Sequence, residues 1–160
     1  MKTKKLTTLA LLTAGAMILS YVESLLPSFG IPGVKMGLAN IAVIFALYRL
    51  GWKEALGISL VRVFMVSMLF GSMSALLYSL AGAAASLGVM TLLKRLDRFS
   101  ETGVSVAGGV AHNAGQIAVA IALLGNVKLA YYYPILVISG VAGGILTGLT
   151  AAMLIKRIPE

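Results

Sequence analysis

Residues 104–124, which read VSVAGGVAHNAGQIAVAIALL, decide the fold class. This run contains no charged side chain, and about 20 apolar residues are enough to cross a bilayer as a helix. Its polar members, His112, Asn113 and Gln116, lie near the middle of the run. The stretch therefore predicts a membrane-spanning helix with a polar patch at its centre.

The rest of the chain has the same character. Its 160 residues are 59% hydrophobic and 11% charged, and the mean hydropathy is +0.99. A soluble domain of this size exposes too much surface to hide that much apolar area. We predict a single all-α domain, residues 1–160, built as a polytopic bundle of six transmembrane helices. The six segments are 6–26, 37–50, 55–69, 74–93, 104–124 and 132–155.

The second and third segments are shorter than a full span. Short or broken helices are tolerated in a membrane where they border a cavity inside the protein rather than lipid. We therefore expect these two segments to border a site. The alternative is that their true boundaries lie several residues further out.

The basic residues between the segments indicate the orientation. Ten of them lie on one side of the predicted membrane and two on the other. Because lysine and arginine concentrate in cytoplasmic loops, both termini are predicted to be cytoplasmic, in a multi-pass protein of the cell membrane. The ten are Lys2, Lys4, Lys5, Arg49, Lys53, Lys94, Arg95, Arg98, Lys156 and Arg157, and the two are Lys35 and Lys128.

Composition also excludes several classes of function. The formal net charge is +8, but the basic residues form short clusters between apolar runs, which favours contact with the lipid bilayer over nucleic acid. The chain has no cysteine, so neither a disulfide framework nor thiolate chemistry is expected. A lone histidine without nearby carboxylate or thiolate ligands predicts no metal site. No cofactor is expected.

Polar side chains inside the apolar segments are the candidate site residues. Charge within a membrane is costly and usually functional, and Arg62 lies in the middle of the third segment. It is interpreted as a ligand for an anion, or alternatively as part of a structural ion pair. His112 and Gln116 share a helix face, with Asn113 alongside. They are interpreted as a hydrogen-bonding wall for a ligand, or alternatively as polar contacts between helices.

Further candidates lie near the predicted outer ends of the segments. Glu23 could pair with Lys35 or Arg62, or simply lie at the interface. Lys35 follows a turn rich in glycine and proline, and Asn40 begins the second segment. A cation beside a helix N-terminus suits a carboxylate or phosphate, although a solvated lysine is the alternative. Tyr78 could add a hydroxyl to the site, or be packed among apolar residues.

The first segment carries two small residues one helical turn apart, Ala10 and Ala14. Such a pair makes a flat strip against which another helix can pack. The strip is interpreted as a docking surface for a partner subunit, with packing inside the chain as the alternative.

Four stretches carry a resemblance to a known family. They are PGVKMGLANI (32–41), ALGISLVRVFMVSMLFG (55–71), LLYSLAGAAAS (76–86) and GGVAHNAGQ (108–116). They resemble the Gx transporter family, which is also catalogued as heptaprenyl diphosphate synthase component I. That family is similar to the substrate-binding S components of energy-coupling factor (ECF) vitamin transporters.

The resemblance implies a six-helix S component that binds a scarce nutrient or precursor from outside, with the first loop as a lid. Such a subunit would dock on a transmembrane T subunit that carries two cytoplasmic ATPase subunits. Ala10 and Ala14 match the small-residue strip that S components use for docking. The resemblance suggests a small, anionic vitamin or an isoprenoid or quinone precursor as the substrate.

The synthase description does not imply an enzyme. Prenyl chain elongation needs paired aspartate clusters to hold magnesium on a diphosphate, and this chain has a single aspartate, Asp97. It also lacks a phosphate-cradling glycine and lysine motif, so ATP hydrolysis would belong to a partner. No catalytic residue is therefore expected. A non-catalytic membrane component associated with heptaprenyl diphosphate synthase is the alternative function, and a purely structural membrane protein is a third.

Overall fold

The computed structural model of the chain describes residues 2–25 and 36–158. These residues form α-helices and one 3-10 helix and no strand, which confirms the all-α prediction. Each α-helix coincides with one predicted segment to within a few residues at either end. In chain order the elements are α1 (Lys2–Leu25), α2 (Asn40–Arg49), α3 (Trp52–Phe70), α4 (Met73–Leu96), α5 (Glu101–Leu124), the 3-10 helix Val127–Tyr132 and α6 (Tyr133–Arg157).

Four stretches of these helices are long and apolar enough to cross a membrane, so the chain is a membrane protein. They are Thr3–Leu25, Met73–Leu96, Glu101–Leu124 and Val127–Arg157. The prediction that the third segment is short was wrong, because α3 has 19 residues and begins before the predicted boundary, with the charged pair Lys53 and Glu54 in its first turn. The prediction of six spans is thus supported for four helices and stays a prediction for α2 and α3.

Local sequence signals set several helix ends. Ser72 and Ser100 precede α4 and α5, and each side-chain oxygen accepts a hydrogen bond from the backbone N–H three residues further on. Such caps satisfy donors that the first turn of a helix leaves unpaired. After α5 the chain turns at Gly125, whose φ of +60° is a left-handed conformation that glycine adopts without a steric penalty. The connections are short, so each helix from α3 to α6 runs antiparallel to the one before it in the chain.

Helix α2 forms the centre of the core. All of its residues from Ala42 to Leu47 are buried, and it packs against α1, α3 and α6. A helix that is apolar on every face is stable where protein surrounds it. Its 10 residues span only about 15 Å, roughly half of the ~30 Å hydrocarbon thickness of a bilayer. Helix α2 therefore fills the centre of the bundle over only about half of the bilayer thickness.

Glycines allow α5 to approach its two neighbours closely. A Cβ atom built on Gly109 of α5 would lie 2.4 Å from the carbonyl oxygen of Gly140 in α6. A Cβ built on Gly115 would lie 2.6 Å from the carbonyl oxygen of Ala81 in α4. No side chain fits at such distances. Small residues at membrane helix interfaces permit this backbone approach, so these glycines hold α4, α5 and α6 together as one unit.

At one end of the bundle, basic side chains bind carbonyl groups at helix C-termini. Arg49 donates from Nη2 to the carbonyl oxygen of Ile155 and, at 2.7 Å, to that of Ile158. Lys94 donates from Nζ to the carbonyl oxygen of Leu47 at 2.6 Å, near the end of α2. The last carbonyls of a helix have no partner within the helix and carry partial negative charge, so cations stabilise them.

An ion pair between Lys5 and Glu54 joins α1 to α3 at the same end. The first turn of α1 and the last turn of α6 therefore lie at the same end of the bundle. We call this end, which carries Lys5, Arg49 and Lys94, the basic end.

Candidate functional site

A cavity of about 400 Å³ lies in the other half of the bundle, above the N-terminus of α2. We call this half the hollow end. The cavity volume falls within the range of small-molecule sites in proteins. All six α-helices contribute residues to its wall, and the turn that leads into α2 contributes as well. The polar lining residues are Ser20, Glu23, Ser24, Asn40, Arg62, Ser67, Ser79, Ser105, His112, Asn113, Gln116, Ser139 and Thr147.

Six of the eight predicted site residues meet in this cavity. They are Glu23, Asn40, Arg62, His112, Asn113 and Gln116. Of the other two, Tyr78 is half-buried on α4 but is not among the lining residues, so we leave it out of the site. Lys35 lies outside the described residues. Ala10 and Ala14 are exposed on the outer surface of α1, away from the cavity.

Arg62 carries a positive charge into the cavity from the middle of α3. It lies ten residues beyond Trp52, where α3 begins, or about 15 Å along the helix. Its Nε atom is buried and has no hydrogen-bond partner among the described residues. A buried polar group without a partner is rare in native proteins, because its lost hydration is not replaced. Arg62 lines the cavity, so its positive charge would attract an anionic group of a ligand there.

Glu23 of α1 is the acidic residue of the described cavity wall, and it acts electrostatically on Arg62. Its carboxylate accepts a hydrogen bond from the backbone N–H of Gly37. Gly37 has φ +71°, so it turns the chain into α2 in a conformation that other residues adopt only with strain. This bond ties the end of α1 to the start of α2 and sets the carboxylate near the N-terminus of the central helix.

Two further features of this N-terminus favour anion binding. The residue before α2, Ala39, provides no side-chain hydrogen bond to the helix. The N–H groups of Asn40 and Ile41 donate to the carbonyl oxygens of Gly37 and Leu38, so an anion here would be attracted by the positive end of the helix dipole rather than by these two N–H groups. Asn40, the first residue of α2, lines the cavity and adds an amide group to the same region.

His112 and Gln116 reach the cavity from one face of α5, as their spacing predicts. Gly82 on α4 makes room for both of them. A Cβ atom at Gly82 would lie 2.8 Å from Nε2 of His112 and 2.9 Å from Cγ of Gln116. His112 and Gln116 can therefore pack against α4 because residue 82 has no side chain.

Asn113 lines the cavity but also serves another purpose. It is buried, and its Nδ2 atom donates a hydrogen bond to the carbonyl oxygen of Leu136 in α6 at 2.6 Å. A second link between α5 and α6 joins Ser105 and Thr147, whose hydroxyl oxygens are 3.0 Å apart. For Asn113 the contact favours the alternative that polar residues here hold helices together.

Hydroxyl groups are the part of the lining that the sequence analysis missed. Five serines besides Ser105 line the cavity, namely Ser20, Ser24, Ser67, Ser79 and Ser139. A serine in a membrane helix is individually uninformative. Ser20 carries a usable signal, because it lies three residues before Glu23 and the two therefore share a side of α1.

The described residues contain no group of three or more His, Cys, Asp or Glu side chains that could hold a metal ion. The chemistry that the described cavity offers is therefore that of charge, amide, imidazole and hydroxyl groups. Such groups bind and orient a small molecule.

Comparison with known proteins gives one informative result. No curated protein and no solved structure matches the chain. Residues 12–154, from the middle of α1 to the last turns of α6, match the profile of a protein family described as heptaprenyl diphosphate synthase component I. This is the family that the four quoted stretches resemble, and its description as one component of a synthase agrees with the expectation that the chain is not itself an enzyme. Because the match covers most of its length, the chain belongs to the heptaprenyl diphosphate synthase component I family.

Proposed function

We propose that the chain is the substrate-binding S subunit of an ECF-type transporter, which takes up a small molecule carrying an anionic group. The observation that carries this proposal is the convergence of polar side chains from separate helices on one cavity, with the buried Nε of Arg62 lacking a partner among the described residues. Charged side chains in the bilayer interior are destabilising and usually serve a function, so a cavity lined by charged groups supports substrate binding.

The size and lining of the cavity favour a small substrate with several polar groups. A cavity of about 400 Å³ is small for a chain of seven prenyl units. Charged, amide and hydroxyl groups from all six α-helices lie between apolar parts of the wall, and they favour a ligand with several hydrogen-bonding groups over an isoprenoid tail.

The surface of α1 supports docking on a T subunit. Ala10 and Ala14 are exposed one turn apart, and the large side chains of Leu6, Leu11 and Ile18 are exposed beside them. A strip of small residues between larger ones lets a second helix approach closely. Two cytoplasmic ATPase subunits would complete the transporter. The excess of lysine and arginine at the basic end supports placing that end in the cytoplasm and the cavity on the outer half of the cell membrane.

The family description favours one alternative function, a non-catalytic membrane component associated with heptaprenyl diphosphate synthase. A second cavity of about 190 Å³ fits this alternative better than the first. It lies between α1, α2 and α6, and its wall is apolar, with Leu12, Phe45 and Leu154 among its residues. Such a groove suits part of a prenyl or acyl chain.

Gentle purification followed by native mass spectrometry tests the proposal. The tagged chain is purified from cells that express it at natural levels, and the complexes are weighed. We expect two ATPase subunits and one further membrane subunit, with a small molecule retained on the chain. Purification with a soluble prenyl synthase, and stimulation of that synthase on mixing, would instead support the alternative.

Two variants separate binding from structure in the same experiment. Arg62→Gln removes the charge in the cavity, and Arg95→Gln removes an exposed charge at the basic end. The retained small molecule should be lost from the first variant and kept by the second. If Arg62→Gln only lowers thermal stability and no small molecule is found on the wild type, the polar residues are structural and the proposal fails.

A further inference from the structure

We infer that the substrate of this cavity is amphoteric, with an anionic group that binds Arg62 and a protonated amine that binds Glu23. The inference rests on the proposed function, since it names the substrate class of the same cavity. It excludes both a simple anion and an uncharged molecule.

The two charges face one cavity without neutralising each other by contact. Glu23 from α1 and Arg62 from α3 both line it, and they interact electrostatically. In the described part of the chain they form no ion pair, whereas Lys5 and Glu54 do. The hydrogen bond from the N–H of Gly37 holds the Glu23 carboxylate at the start of α2. Because both side chains line the same cavity, a ligand in it can approach both charges.

Each of the two groups has unused hydrogen-bonding capacity. An ionised carboxylate offers about four acceptor positions, and Glu23 receives one described hydrogen bond, from Gly37. A guanidinium offers five N–H donors, and Arg62 lines the cavity without a hydrogen bond to another described residue. Hydrogen bonds in which both groups are charged are the strong ones, so a carboxylate on Arg62 and an ammonium on Glu23 would both gain.

Ligands with a single charge fit this arrangement less well. A simple anion is attracted by Arg62 but repelled by Glu23 in the same cavity. A simple cation is attracted by Glu23 but repelled by Arg62. An uncharged ligand displaces water from both groups without supplying a charged partner to either. An amphoteric molecule is attracted at both ends, and its orientation is fixed because only one direction matches.

The experiment uses the full chain in lipid nanodiscs. Native mass spectrometry first identifies any retained molecule and its ionisable groups. Thermal-shift measurements and calorimetry then compare the genetically encoded amino acids, β-alanine and γ-aminobutyrate with acetate, propionate and butyrate, which lack the amine, and with ethylamine, propylamine and butylamine, which lack the carboxylate. We expect the retained molecule to carry both an anionic group and an amine, or at least one amino acid to bind about tenfold or more tightly than the matched carboxylate and the matched amine.

Glu23→Gln is the diagnostic variant, because the glutamine oxygen still accepts from the N–H of Gly37 and only the charge is removed. Affinity for the amphoteric ligand should fall about tenfold or more, while affinity for its carboxylate-only partner should not fall. Glu54→Gln, a carboxylate at the basic end, is the matched control and should leave binding unchanged.

The outcomes distinguish this inference from the proposed function. A retained or tightly bound molecule that is purely anionic or uncharged overturns the inference and leaves solute binding standing. If nothing is retained and no amino acid of the series binds more tightly than its matched partners, the inference fails. If no small molecule is retained by the wild type and none of the tested compounds binds, the proposed function fails as well.

Discussion

The basic end and the hollow end of this bundle use cationic side chains in opposite ways. At the basic end Arg49 and Lys94 donate to carbonyl groups at the C-termini of α6 and α2. At the hollow end Arg62 lines the cavity and interacts electrostatically with Glu23, and the two form no ion pair in the described part of the chain. A cation bound to a helix terminus stabilises the fold, whereas a cation with unused donors in a cavity favours a ligand. Partners, rather than residue type, distinguish structural from binding positions here.

The largest effect is expected where the hollow end depends on backbone contact. In Gly109→Leu the new side chain would occupy the space of the Gly140 carbonyl, since even a Cβ would lie 2.4 Å from its oxygen. Overpacking of this kind costs about 3 kcal/mol or more. We expect α5 and α6 to separate and the purified protein to lose its thermal transition.

Gly88→Ala is the matched control for this substitution. Gly88 lies in α4, and a Cβ atom there would meet nothing within 4 Å. Replacing an unconstrained helical glycine by alanine stabilises a helix by roughly 0.5–1 kcal/mol. A melting temperature that falls in this variant as far as in Gly109→Leu would show that helix glycines act through something other than close contact.

The next largest effect is expected at the basic end. Arg49→Gln removes charged donors from the carbonyl oxygens of Ile155 and Ile158. Hydrogen bonds to charged groups contribute about 1.5–3 kcal/mol, and we expect a loss of stability of this size. Denaturation followed by fluorescence measures it, and ligand affinity measured in parallel should not change. A binding defect without a stability defect would reverse the contrast between the two ends.

Arg62→Gln should have the complementary effect at the hollow end. The substitution removes a charge whose Nε lacks a described partner, so stability should stay the same or rise slightly. Affinity for the retained ligand should fall about tenfold, equivalent to ~1.4 kcal/mol. Calorimetry and thermal unfolding on the same preparation measure both quantities. If the variant melts well below the wild type, Arg62 is a structural residue and the distinction between the ends fails.

The smallest effect is expected from a single hydroxyl of the cavity wall. Ser79→Ala removes one neutral hydrogen-bonding group and leaves the packing of α4 unchanged. A neutral hydrogen bond contributes about 0.5–1.5 kcal/mol, so we expect affinity to fall a few-fold and stability to remain the same. Tyr78→Phe is the matched control because the neighbouring hydroxyl lies outside the described wall. Equal losses in both variants would place Tyr78 in the site after all.

This pair also shows what the sequence could and could not predict. Apolar composition predicted the helices well, because the segments between turns are predominantly hydrophobic. The sequence pattern favoured Tyr78 rather than Ser79, and neighbouring residues differ in direction by about 100° around a helix. Which of the two faces the cavity depends on how α4 is rotated against α3 and α5, and that rotation is set by glycine contacts across helices.

Asn113 shows the same limit on α5. Its spacing relative to His112 and Gln116 predicted a shared polar wall, and all three do line the cavity. The carbonyl oxygen of Leu136 that uses the amide of Asn113 is a backbone group on another helix. No feature of the local sequence identifies such a partner, because every residue has a carbonyl oxygen.

The shortness of α2 was predictable, and it has a consequence for passage through the protein. A molecule bound at Asn40 would lie near mid-depth, and beneath it is a continuous run of buried apolar side chains from Ala42 to Leu47. Rotamer changes alone cannot open a pore through a column of side chains buried against α1, α3 and α6. Under the proposed function, delivery to the basic side would therefore require α2 itself to be displaced, or the whole bundle to reorient in the bilayer.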